Sequence, residues 1–204
     1  MKIDIKKNRE ECVSLLRSTG REGIEDMIID LDKMGFFSAP AAVKHHLNCD
    51  GGLAQHSLNT YKAAISIWES MKTYCPYLAR EVQQENIIIA ALLHDICKCD
   101  VYRKKREGKA RFWSFGKENL EYCASYDEFP IGHGEKSVIL ALCAGLVMTD
   151  SEMVAIRWHM GSWGVNMDSN EDRQSYRAAE DKYPLVTIIQ TADTLAAKIM
   201  EQYQ

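Results

Sequence analysis

The stretch Ile87-Ile-Ile-Ala-Ala-Leu-Leu-His-Asp-Ile-Cys-Lys98 decides how this chain is read. Seven consecutive apolar residues have the composition of a buried helix. The next two residues are an imidazole and a carboxylate. Burying such polar groups without a partner costs about 2–7 kcal/mol each. Partners for His94 and Asp95 must therefore come from elsewhere in the chain.

Outward from this stretch, helical periodicity dominates, with only four prolines and twelve glycines in 204 residues. Helices are expected over 8–16, 21–34, 53–71, 84–97, 135–146, from 151 to 158 with Ser151 as N-cap, and 185–202 after Pro184, a residue suited to a first turn. The segment 102–116 is basic and aromatic and reads as a short hairpin or loop. The polar segment 166–181 reads as a loop. No set of alternating strands is present, so the expected fold is all-α. One domain over 1–204 is expected, with N-terminal helices over 1–39 packing on a core of 40–200.

The composition is 46% hydrophobic and 26% charged, that of an ordinary globular protein. A net charge of −4 excludes a general polyanion binder and leaves only local basic patches. The longest apolar run, 138–148, is too short for a bilayer span of about 20 residues. MKIDIKKNRE lacks the apolar core of a secretory signal. Seven cysteines, an odd number, suit a reducing cytoplasm. Cys97 and Cys99 have no second pair to complete a zinc set and read as small packing residues.

Several ionisable residues fall on otherwise apolar helix faces, judged by neighbours three and four positions away. Asp193 has Ile189, Ala196, Ala197 and Met200 on its stripe. His56 has Leu53, Thr60, Ala63 and Ile67. His94 and Asp95 follow the run above, and His159 follows Ala155 and Ile156. His133 sits between Gly132 and Gly134, which allow close backbone approach. A lone core histidine ordinarily bonds a backbone carbonyl. Six such residues from five segments instead suggest convergence. Imidazole nitrogens with carboxylate oxygens suit Fe, Mn, Zn, Ni or Co. Successive helical residues point about 100° apart, so His94 and Asp95 straddle one ion or Asp95 bridges two.

The ordered segments Gly51-Gly-Leu-Ala-Gln-His56, Leu92-Leu-His94-Asp95-Ile-Cys-Lys98, Gly132-His133-Gly-Glu-Lys-Ser137, Ile156-Arg-Trp-His159 and Thr191-Ala-Asp193 resemble the HD-domain superfamily of metal-dependent phosphohydrolases. The resemblance spans roughly 40–200. Ala39-Pro-Ala-Ala, His45-His46 and Gly51-Gly-Leu are similar to the HD domain of YhaM-type 3′–5′ exoribonucleases, although the 204 residues are expected to lack the nucleic-acid-binding OB domain of those proteins. Cys97 stands where many relatives have glycine, a change expected to be neutral for packing.

The resemblance implies two divalent transition-metal ions. One is held by His56, His94, Asp95 and Asp193. The other is held by the bridging Asp95 with His133 and His159. It implies hydrolysis of a phosphomonoester or phosphodiester, with Asp95 and Lys98 in the catalytic machinery. The implied substrate is a small phosphorylated molecule, a nucleotide or a short single-stranded nucleic acid. Substrate contacts are expected from His46, Arg103, Arg111, Lys136 and Arg157, with Arg103, Lys104, Lys105, Arg106 and Arg111 forming a basic flap among Tyr102, Phe112 and Trp113. A charge run of this kind also reads as a solvated loop. A di-iron oxygenase and a non-catalytic nucleotide sensor share nearly the same ligand set and stand as alternatives.

Overall fold

The computed structural model describes residues 3–44, 46–104, 121–126 and 129–202. In chain order the helices are α1 (Ile5–Ser18), α2 (Ile24–Met34), α3 (Gly52–Tyr74), α4 (Leu78–Glu81), α5 (Gln84–Leu93) and α6 (Lys98–Val101). After the strands β1 (Tyr102–Lys104) and β2 (Tyr122–Ala124) come α7 (His133–Cys143), α8 (Asp150–Trp158), α9 (Asn170–Lys182) and α10 (Pro184–Leu195). A π turn, Ala196–Met200, follows α10. The fold is all-α.

The apolar run organises the bundle. Ile87 to Leu93 are all buried. A helix segment with no polar face has no stable place at a surface, so α5 lies inside, against α3, α8 and α10. Each buried Ile or Leu contributes about 1.5–3 kcal/mol. Helix α1 packs on α3 and α5, and α2 packs on α1.

Helix α5 stops at Leu93 instead of running to 97. Bonds from the Ile96 N–H to Leu93 O and from the Lys98 N–H to Asp95 O span three residues, so the chain tightens there before α6. The N-cap of α8 is Thr149, not Ser151. Thr149 and Glu152 form a reciprocal capping box. The segment read as a loop over 166–181 is mostly helix α9, capped by Ser169. Its sequence is polar because it meets the bundle along one narrow line, with Ala179 buried and Tyr176 half-buried.

The expected hairpin forms, but its second strand lies beyond residue 116. Strands β1 and β2 pair antiparallel, with Arg103 opposite Cys123. Asp50, just before α3, accepts bonds from Tyr122 Oη at 2.5 Å and Lys104 Nζ at 2.8 Å, and so ties the hairpin to the start of the helix carrying His56. Arg111 and the other flap residues Lys105, Arg106, Phe112 and Trp113, together with His45, lie outside the described residues. Among the described residues no helix is long and apolar enough to cross a membrane.

Candidate metal centre

Helix ends deliver the six predicted residues to one place. His94 caps the C-terminus of α5 and His159 that of α8. Carbonyls in a last helical turn lack partners within the helix. The His94 Nδ1–H donates to Ala91 O at 2.9 Å, and the His159 Nδ1–H donates to Ile156 O at 2.7 Å. Each ring is thereby held in the tautomer that turns a free Nε2 lone pair inward. His133 is the first residue of α7. The next residue, Gly134, lets that helix approach α8 closely, since a Cβ there would stand 2.2 Å from Arg157 O.

The rings and carboxylates converge. Asp95 Oδ1 lies 2.7 Å from His133 Nε2 and 3.5 Å from His159 Nε2. Asp95 Oδ2 lies 3.2 Å from His94 Nε2 and 3.5 Å from His56 Nε2. Asp193 Oδ1 completes the His56 side at 3.0 Å and stands 3.9 Å from His94 Nε2. His56, His94, Asp95 and His159 are buried, whereas the His133 and Asp193 side chains are 33% and 19% exposed. Solvent therefore reaches the cluster past His133 and Asp193.

Lys98 Nζ stands 2.5 Å from Asp95 Oδ2. Burial raises the Asp95 carboxyl, yet Lys98, His94 and His133 together hold it well below the usual carboxylate range. Burial lowers His56, and the carboxylates of Asp193, Asp95 and Glu201 more than reverse this. His133 is drawn up to about 9 against its burial, by Asp95 and Cys97.

The donor set fits divalent transition metals: imidazole nitrogens and carboxylate oxygens lie within 4.8 Å of one another in the groups His56–His94–Asp95 and His94–His159–Asp193, and the group Asp95–Cys97–His133 adds the Cys97 sulfur. His159 Nε2 is fully buried and finds no hydrogen-bond partner among the described residues, which leaves it free to ligate.

The expected substrate residues are placed unevenly. His46 faces the cluster from outside, its ring 5.1 Å from that of His56, and burial followed by the His56 charge pushes it down to about 4. Lys136 is buried; its Nζ bonds Asp100 and donates to Phe129 O at 2.8 Å. Arg157 pairs with Glu135 at 2.5 Å and stacks 3.8 Å over the Trp158 ring. Arg103 pairs with Asp100 at 3.2 Å.

Two participants escaped the sequence reading. Cys97, expected to be neutral in packing, brings its Sγ to 3.2 Å from His133 Nδ1. Glu201 places Oε1 2.9 Å from His56 Nδ1. Cys97 lies inside the motif, two residues past Asp95, which is a signal that could have pointed to it; Glu201 gave no periodic signal.

Fold and site together define an all-α domain built round a buried histidine–aspartate cluster of metal-ligating chemistry. The HD domain family model matches residues 53–198, and the chain belongs to this family. It is similar to the dihydroneopterin 2′,3′-cyclic phosphate phosphodiesterase of Methanocaldococcus jannaschii, 33% identical over 102 residues that cover 49% of this chain and 38% of that protein. These comparisons give no support to the finer likeness to YhaM-type exoribonucleases. No solved structure matches the chain.

Proposed function

We propose that this chain is a metal-dependent phosphohydrolase cleaving a phosphomonoester or phosphodiester of a small molecule, in a reducing cytoplasm where its seven free cysteines stay reduced. The observation that carries the reading is the double reach of Asp95, one buried carboxylate whose two oxygens face different pairs of histidines. In this reading His56, His94, Asp95 and Asp193 hold one divalent ion, and Asp95, His133 and His159 hold a second. When bound, such ions supply positive charge to the phosphate and lower the pKa of a water to make a nucleophile.

The chain's own groups do the rest. The Nδ1–H donors of His94 and His159 fix both rings before any ligand arrives. Lys98 keeps a cation beside Asp95, at a position to offset charge on a phosphate oxygen. The apolar walls of α5 and α10 exclude bulk water behind the cluster, so substrate enters past His133 and Asp193.

The activity for which the Methanocaldococcus relative is named supports a phosphodiester on a heterocyclic molecule, a class that includes cyclic nucleotides and the ends of short oligonucleotides. The test is elemental analysis combined with a phosphoester screen on protein loaded with Mn, Co, Ni, Fe or Zn. Bound metal with released phosphate or an opened cyclic ester is expected. No metal after reconstitution, or oxygen uptake by the iron form without phosphoester turnover, overturns the reading.

A further inference from the structure

We propose that Glu201 is a positioning residue for His56, and that a side-chain relay starting in α1 holds it in place. The inference rests on the proposed metal centre. It adds residues from both ends of the chain, outside the matched span 53–198.

The Glu201 side chain is fully buried. Its Oε1 lies 2.9 Å from His56 Nδ1 and accepts a second bond, 3.1 Å long, from Asn59 Nδ2. Asn59 Oδ1 accepts from Gln55 Nε2 at 2.9 Å, and Gln55 Oε1 accepts from Asn8 Nδ2 at 3.0 Å. An unbroken line of hydrogen bonds thus runs from Asn8 on α1, through Gln55 and Asn59 on α3, to Glu201 and His56. The far side of the His56 ring presents Nε2 to Asp193, Asp95 and His94 at 3.0, 3.5 and 3.3 Å.

The π turn makes this possible. In a continuous α-helix, residue 201 stands eight positions past Asp193, about 80° round the axis from it. The Glu201 N–H instead bonds Ala196 O, five residues back, and this slower winding returns Glu201 toward the face of Asp193. Asp193 and Glu201 then approach opposite nitrogens of one imidazole. A carboxylate accepting from the remote N–H of a metal-binding histidine fixes its tautomer and raises its basicity. Burying a glutamate is costly; here Oε1 is answered by the His56 N–H and Asn59, while Oε2, buried with no hydrogen-bond partner among the described residues, faces His46 Nε2 at 3.7 Å.

The test compares wild type with Glu201→Gln, Glu201→Ala and Asn59→Ala, each checked for folding by circular dichroism. Zinc affinity is read by competition with a chromophoric chelator. The His56 Nδ1 proton is read by NMR of the zinc-loaded protein with 15N-labelled histidine. A loss of affinity of about 10–100-fold is expected for Glu201→Ala, with smaller losses for Glu201→Gln, which keeps an acceptor, and for Asn59→Ala. The protected Nδ1 proton should disappear in Glu201→Ala. Affinity within twofold of wild type in both Glu201 variants, or a persistent Nδ1 proton in Glu201→Ala, overturns the positioning role while leaving the metal centre intact. A wild-type protein that takes up no zinc overturns the centre and this role together.

Discussion

Asp95 and His133 meet at 2.7 Å across the open edge of the cluster, while the other oxygen of the same carboxylate stands 2.5 Å from half-buried Lys98. One side chain therefore joins the solvent-facing histidine to the interior cation. Asp95→Asn keeps the shape and removes the charge that both neighbours answer. In the proposed centre Asp95 serves both ions, so metal content of the reconstituted protein should fall toward none, and turnover should drop by at least about 10²–10³-fold. Stability of the metal-free protein should fall by up to about 3 kcal/mol, because Lys98, only 11% exposed, is left without its anion. Unchanged metal stoichiometry in the purified variant would remove Asp95 from the centre.

The bundle was legible because Ile87 to Leu93 are apolar at every position and Pro184 opens the last long helix; such signals are local. The six clustered residues were legible because a charge on an apolar stripe is anomalous at the level of the stripe. Helix α9 was hidden because a helix touching the core mainly through Tyr176 and Ala179 carries almost no hydrophobic period. Glu201 was hidden for a different reason. A 3.6-residue period assigns it to another face, and only the winding of the π turn, a property of packing, brings it to His56.

Lys98→Met tests whether the cation serves the chemistry or only the fold. The ammonium repels any cation placed next to Asp95, so its removal should leave metal affinity equal or higher. If Lys98 offsets charge on the phosphate, kcat should fall by about 10²-fold with the ions still bound. Side-by-side calorimetric metal titrations and turnover assays separate these effects. Full activity in the variant would confine Lys98 to a structural part.

His133 gives the metal-free protein a distinctive pH dependence. Its imidazole titrates at about 9 in the folded chain, with burial opposing and Asp95 and Cys97 favouring the cation. An unfolded histidine titrates near ~6.5. The folded value is the higher one, so this contribution to stability is complete below pH ~6.5 and is lost as pH rises through about 9. Metal binding runs the other way, because protons must leave the imidazoles first. Thermal melts with chelator should therefore decline from pH 6 to 9.5, while metal affinity climbs over the same range. A chelated protein whose melting point stays flat across that window would contradict the His133–Asp95 pairing.

Arg21 and Glu152 join the N-terminal helices to the bundle. Arg21, between α1 and α2, donates to both Glu152 oxygens at 2.8 and 2.7 Å, and the Glu152 side chain is fully buried. Asn86 on α5 and the Thr149 N–H donate to the same carboxylate, each at 2.8 Å. Arg21→Met leaves Glu152 with hydrogen bonds but no countercharge. Removing one partner of a buried pair costs about 3–5 kcal/mol, and denaturant unfolding should show a loss near the lower end, since Asn86 and the capping bond remain. The carboxylate belongs to the α5–α8 packing rather than to the metal cluster, so zinc stoichiometry should stay at the wild-type value. A loss below about 1 kcal/mol, the range of exposed ion pairs, would mean that this buried link does not tie the N-terminal helices to the core.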